Sequence, residues 1–396
     1  MRTSVTLLLL ALAAAPTLAQ DDPPRDCGRG GQEQYTQSSE NGRRTRIAAR
    51  WGRSGCTTEI EAEGDFTLRT DLTDVERVSR DGYVEITERR GGTRRRVEIT
   101  AGADGRIVHR YSVNRDSAAW DGDAQRWLAG VLLELERRTA FAADTRVPAL
   151  RERGGSAAVL EEITRLRADH AKRRYYTVLL AADSSIDAAA LGRVMEHAGR
   201  ELDSDYELAE LLVQVAKGGR VRDRAAQSAF VRATATIGSD YEHRRALSAL
   251  LADSDADAAL RPDVAAAIFV AAKDIGSDYE AAELLIGAAR RGLVKDAASA
   301  PFFAAVDGIG SAYERRRTLS ALLQADSLAD ELVVGVLKSS GGISSDYERA
   351  ELLVTLARTR PRLTGSLREA YLDAADRISS DHERNRAVAA LGRKRM

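Results

Sequence analysis

Ile237-Gly238-Ser239-Asp240-Tyr241-Glu242 returns almost letter for letter as Ile275-Gly276-Ser277-Asp278-Tyr279-Glu280, and again as Ile343-Ser344-Ser345-Asp346-Tyr347-Glu348. Variants lie at Ser204–Glu207, at Ser311–Glu314 with Ala312 in place of Asp, and at Ser380–Glu383 with His382 in place of Tyr. Ala168-Asp169-His170-Ala171 is a degenerate first copy. Successive copies begin 36, 35, 38, 34, 34 and 35 residues apart, so a unit of about 35 residues occurs seven times.

Ser-x-x-Glu marks a helix start. The Ser side chain accepts from the amide three residues on, and the Glu reaches back to the N-cap amide. Ser204 with Glu207, Ser239 with Glu242, Ser277 with Glu280, Ser311 with Glu314, Ser345 with Glu348 and Ser380 with Glu383 are therefore the expected caps. Each is worth on the order of 1 kcal/mol. The Asp between them suits the positive end of the helix dipole. Apolar stretches such as Leu211-Leu212-Val213, Leu250-Leu251 and Leu284-Leu285-Ile286 follow the motif, then a polar or Gly/Asp loop, then an alanine-rich segment. Two helices per 35 residues is the pattern of a helical-hairpin repeat. One hairpin cannot bury its own apolar face, so the units must stack. The expected fold class is mostly α: an α-solenoid of seven helical repeats over residues 166–396, preceded by a small antiparallel β domain. In length the repeat resembles HEAT and tetratricopeptide solenoids, without the Trp and Pro signature of the latter.

Tyr206, Tyr241, Tyr279, Tyr313 and Tyr347 fall in the first turn of these helices. Their expected role is packing against the neighbouring repeat with the hydroxyl at the edge; the alternative is a row lining a binding groove. Three residues beyond each motif the chain reads Arg174, Glu210, Arg245, Glu283, Arg317, Glu351 and Arg386. That alternation predicts a ladder of Arg–Glu contacts between adjacent repeats. Each exposed pair contributes about 0–1 kcal/mol, and the larger effect is on register, because a slip of one repeat opposes like charges. Seven solvated side chains left by duplication of a two-repeat ancestor is the plainer alternative.

Upstream the period falls to two. Val84 and Ile86, Val97 and Ile99, and His109, Tyr111 and Val113 alternate with polar residues, and Gly91-Gly92 and Asp104-Gly105 separate the runs as hairpin turns. Thr58–Glu61 and Phe66–Arg69 read as shorter strands, giving an antiparallel β domain over 46–118. Residues 119–165 read as a helical connector and N-terminal cap, with Asp121 or Asp123 opening a helix and Pro148 and Gly154-Gly155 breaking the segment. Residues 20–45 have linker composition.

At the N-terminus, Arg2, the apolar run from Val5 to Ala15 and Thr17-Leu18-Ala19 have the form of a secretory signal over residues 1–19. The run is too short for a membrane span, which needs roughly 20 residues. The expected destination is the periplasm or the extracellular space, with no integral membrane segment after cleavage. Cys27 and Cys56 are the two cysteines, and an oxidising compartment favours a bridge between them. Closing that loop is worth roughly 3 kcal/mol.

Chemistry is sparse. The net charge of −1 offers no general attraction for nucleic acid. No H-E-x-x-H, P-loop or G-x-S-x-G occurs, and His109, His170, His197, His243 and His382 lack ligand spacing. Asp253, Asp255 and Asp257 have the spacing of early calcium-loop ligands, but Ala258 and Val264 stand where glycine and glutamate are required. Arg89, Arg90, Arg94, Arg95 and Arg96 surround the Gly91-Gly92 turn, interspersed with Glu85, Glu88 and Glu98. No catalytic residue, metal ligand or cofactor is expected.

Gly82-Tyr83-Val84-Glu85-Ile86, Tyr111-Ser112-Val113-Asn114, Trp127-Leu128 and the Ser-Asp-Tyr-Glu copies together resemble soluble regions of BlaR-type membrane sensor peptidases. The resemblance spans about residues 80 to 395 and implies an extracytoplasmic sensing or scaffolding part. The peptidase's metal motif and membrane spans have no counterpart here, so proteolysis is not implied. The expected function is a non-enzymatic scaffold that binds a protein or peptide through the repeat surface. The alternative is an envelope structural or signalling accessory whose β domain makes the contact while the repeats act as a spacer.

Overall fold

The structure is a computed structural model that describes residues 32–40, 44–53, 55–182, 186–252, 260, 262–325 and 328–392. The signal-like segment, Cys27, Asp253, Asp255, Asp257 and the terminal Arg393-Lys394-Arg395 lie outside the described residues. The chain divides into two compact units, the first ending at Glu136 and the second beginning at Arg137.

The first unit is built on β1 (Gln32–Glu40), β2 (Arg44–Arg53), β3 (Cys56–Glu63), β6 (Tyr83–Arg90), β7 (Thr93–Ala101), β8 (Ile107–Val113) and β9 (Asp116–Ser117), in that order in one antiparallel sheet. A separate hairpin, β4 (Phe66–Leu68) and β5 (Val75–Val78), is inserted between β3 and β6. Two apolar rows cross the sheet. Ala49, Ile60, Ile86 and Val97 are partners in successive ladders, and so are Ile47, Ala62, Val84 and Ile99. All eight are buried. Gly91 and Gly92 both take positive φ in the β6–β7 turn, a conformation only glycine adopts without strain.

The linker expected over 20–45 is corrected by β1, which pairs along its length with β2. Its sequence, Gln-Glu-Gln-Tyr-Thr-Gln-Ser-Ser-Glu, has no apolar alternation because an edge strand is held chiefly by its backbone ladder. α1 (Gly122–Thr139) follows the sheet, with Asp121 accepting from the Asp123 and Ala124 amides at 3.0 Å each. Trp127 of α1 lies 5.7 Å from the Tyr111 ring of β8, which ties this helix to the sheet.

The second unit begins with α2 (Ala143–Ile163), whose path is broken at Gly154 and Gly155 but not at Pro148. Paired helices follow. The first helix of each pair is α3 (Asp169–Ala182), α5 (Asp205–Lys217), α7 (Asp240–Ala252), α9 (Asp278–Arg290), α11 (Ala312–Leu323), α13 (Asp346–Thr359) and α15 (Asp381–Ala390). The second is α4 (Ala188–Glu201), α6 (Arg224–Thr234), α8 (Pro262–Ala271), α10 (Ser299–Gly308), α12 (Asp330–Ser340) and α14 (Gly365–Asp376). First helices pack on first helices and second on second, from α3 to α15 and from α4 to α14, and this stacking is the α-solenoid. One continuous apolar core runs from Ala140 to Ala387. The stack ends on α15, where the buried Tyr371 hydroxyl of α14 donates to the Ala387 carbonyl at 2.8 Å.

Candidate functional site: the rim of helix starts

All six Ser N-caps close on their helices. Ser204, Ser239, Ser277, Ser311, Ser345 and Ser380 accept from the amides of Glu207, Glu242, Glu280, Glu314, Glu348 and Glu383 at 3.3–3.4 Å. The other half of the box is corrected, because at four motifs the N-cap amide is taken by the motif Asp of the preceding repeat, and before Ser277 that Asp takes the adjoining Gly276 amide. Ser204 N–H donates to Asp169 at 2.6 Å, Gly238 and Ser239 to Asp205 at 3.0 and 2.7 Å, and Gly276 to Asp240 at 2.8 Å. Gly310 and Ser311 donate to Asp278 at 2.9 and 2.8 Å, and Ser380 to Asp346 at 2.8 Å. Each Asp therefore caps its neighbour.

Ala312 breaks this series. It offers no carboxylate, and among the described residues no side chain accepts from the Ser345 amide. Ala312→Asp should supply that acceptor and raise stability by about 1 kcal/mol. Urea unfolding would show it as a higher midpoint at unchanged slope; an unchanged midpoint would mean the amide is already satisfied by water.

The motif Glu side chains are drawn away by arginines, in two alternating patterns. Arg173, Arg244 and Arg316 reach forward to Glu207, Glu280 and Glu348 of the next repeat. At the other seams Arg245, Arg317 and Arg386 reach back to Glu210, Glu283 and Glu351, and each also holds the capping Glu of its own motif, Glu242, Glu314 or Glu383. The expected ladder thus exists at every second seam. Arg174, its first member, pairs with Asp144 of α2 instead. The intervening seams use the arginine one residue earlier, a position the simple alternation does not reveal.

The tyrosines do not pack inside. Tyr206, Tyr241, Tyr279, Tyr313 and Tyr347 are 51–55 % exposed, so about half of each side chain stands in solvent. The reason is position: the second residue of each helix lies outside the apolar stripe that Leu, Ile and Ala fill. Guanidiniums brace four of the five rings. Arg245 lies 5.7 Å from the Tyr206 ring, Arg244 5.1 Å from Tyr241, Arg316 5.1 Å from Tyr313 and Arg386 5.3 Å from Tyr347. Exposed His170 and His382 hold the same place in the first and last copies.

Four residues after the N-cap Ser, Arg315, Arg349 and Arg384 donate to carbonyls at the end of the preceding helix, including Ile309, Ile343 and Ile378. His243 fills this place in the third copy and is buried, with no hydrogen-bond partner for Nε2 among the described residues. Burial pushes its imidazole below the ordinary 6.5, against the opposing pull of Asp274, Asp240 and Asp205. The unfolded chain then binds more protons, so stability is fully present above about pH 6.5 and is lost as pH falls through the depressed folded value. His197 is shifted the same way by burial, with Tyr176 Oη 2.6 Å from its Nδ1. His243→Leu should flatten the loss of unfolding midpoint on acidification; a profile identical to that of the parent chain would clear His243 of the effect.

The basic hairpin is partly neutralised from within. Arg89 pairs with Glu59 at 3.0 Å, and Arg96 bonds both Glu85 oxygens at 2.7 and 2.8 Å, which holds that carboxyl below its usual range. His109 bonds Asp74 at 2.9 Å and stacks on Trp120 at 4.2 Å. Glu196 pairs with Arg232 at 2.6 Å. Cys56 opens β3, while its expected partner Cys27 is not among the described residues. A groove of about 780 Å³ lies between α10 and α12, floored by Phe303, Leu332 and Gly335, with Lys295 and Lys338 along it. Among the described residues no group of acidic, His or Cys side chains is placed to hold a metal, and no helix is long and apolar enough to cross a membrane. No known protein family, curated protein or solved structure matches the chain.

Proposed function

We propose that this chain is an exported, non-enzymatic scaffold whose repeats bind a protein or peptide, with the exposed tyrosine row as the contact. The row carries the reading: five large rings, one in each of five successive repeats, stand half in solvent while the Leu, Ile and Val side chains of their helices are buried. Tyrosine is enriched at protein interfaces because it adds much contact area at small entropic cost. Export is supported by the signal-like residues 1–19, and a Cys27–Cys56 bridge belongs with that compartment.

The test is crosslinking capture from envelope extract by the full chain and by its Tyr241→Ser/Tyr279→Ser/Tyr313→Ser variant. A protein retained by the former and lost about tenfold by the latter is the expected result, since an aromatic anchor is commonly worth 1 kcal/mol or more, about tenfold per 1.4 kcal/mol. Retention unaffected by the tyrosines but abolished by Arg89→Ser/Arg94→Ser would move the contact to the β unit and leave the repeats as a spacer.

A further inference from the structure

We infer that the rim is a track for a basic, proline-rich segment in the polyproline II conformation. This rests on the scaffold reading and names its ligand class. The first argument is metric. α5, α7, α9, α11 and α13 pack directly side by side, and each presents its tyrosine at the same second position. Packed helix axes are about 8–10 Å apart, so the rings recur at roughly that interval. Polyproline II advances about 3.1 Å per residue with three residues per turn, or about 9.3 Å per turn. Every third residue of such a strand meets an equivalent ring. Five rings span roughly 12 residues on this pitch.

The second argument is charge. Over the first six residues of the seven first helices, α3 to α15, fifteen Asp and Glu stand against eleven Lys and Arg, and nine of the glutamates share six of the arginines. Carboxylate remains in excess after internal pairing, which favours cationic side chains on the ligand and disfavours anionic chains. The third concerns hydrogen bonds. Among the described residues no protein group bonds to the five tyrosine hydroxyls, although guanidiniums lie over four of the rings. A polyproline II backbone has no internal hydrogen bonds, so its carbonyls are free to accept from such hydroxyls. Aromatic surfaces that read extended proline-rich strands work by this combination of stacking and hydroxyl donation, with the ligand ordered before it binds.

The experiment is fluorescence anisotropy of the full chain with labelled peptides of about 15 residues. One carries five Pro-Pro-Arg triplets, a second five Gly-Ser-Arg triplets, and a third five Pro-Pro-Glu triplets; a labelled chitin oligosaccharide is the glycan control. The Pro-Pro-Arg peptide should bind at least about tenfold tighter than the other three. Its affinity should fall about tenfold or more in the triple Tyr→Ser variant. That variant should keep a cooperative unfolding transition, its midpoint lowered only slightly by the lost ring–guanidinium contacts at Tyr241 and Tyr313. Equal binding of the Gly-Ser-Arg peptide, preference for the glycan, or indifference to the tyrosines would overturn the inference. If the Pro-Pro-Arg peptide fails while capture from extract still depends on the tyrosines, the ligand class is wrong and the scaffold stands. If both fail, the rim is not the binding surface.

Discussion

Phe302→Ala is expected to lower the stability of the repeat unit by about 3–5 kcal/mol, the largest effect of any single substitution considered for the core. Phe302 is fully buried in α10, edge-on to Phe269 of α8 at 5.4 Å and to Phe303 at 5.6 Å. The alanine-rich second helices have few long side chains that can swing into the space, so the cavity should persist. In a linear stack each repeat leans only on its neighbours. Weakening the middle should therefore also separate the unfolding of the two ends. Urea titration followed by circular dichroism should show an earlier and broader transition than the parent. A loss below about 1 kcal/mol with an unbroadened transition would mean that α8 and α10 close the gap, and that the stack is more plastic than its packing suggests.

Glu162→Ala should cost about 3 kcal/mol. The Glu162 side chain is only 5 % exposed, and three guanidiniums converge on it: Arg146 at 3.2 Å, Arg165 at 3.5 Å and Arg137 at 3.8 Å. Arg165 is well solvated, so the penalty falls mainly on Arg137 and Arg146, which are mostly buried and would lose the Glu162 carboxylate. Glu162→Gln keeps volume and one acceptor while removing the charge, and should fall between the parent and Glu162→Ala. If Gln and Ala were equally costly, the ion pairs would carry the effect; if Gln matched the parent, shape and hydrogen bonding would.

The repeat was legible because three constraints coincide in one short string: a Ser that must cap, a helix dipole that tolerates acid, and an apolar stripe that starts at a fixed offset. The sheet was legible where a strand has one buried face, as at Val84, Ile86, Val97 and Ile99. β1 was not, because Gln32–Glu40 pairs with β2 chiefly through its backbone ladder and leaves no apolar alternation to read. The partner of each motif Asp was hidden for a different reason. Within a single copy, Glu is the natural acceptor for the N-cap amide, and only the stacked geometry shows that the neighbour's Asp arrives first. The degenerate copy held a clue, since it lacks both Ser and Glu yet keeps Asp169, the residue that serves the next repeat. Exposure of the tyrosines followed from helix phase, which the repeat spacing alone does not fix.

That hand-over has a direction, and a growing chain experiences it. The Asp acceptor always lies in the repeat made before the one whose amides it caps, from Asp169 through Asp346. A chain that reaches its folding compartment N-terminus first finds each acceptor already in place, so each completed repeat is a template for the start of the next. Order can then advance along the chain as it arrives, with one interruption after Ala312, where the following repeat must organise its own beginning.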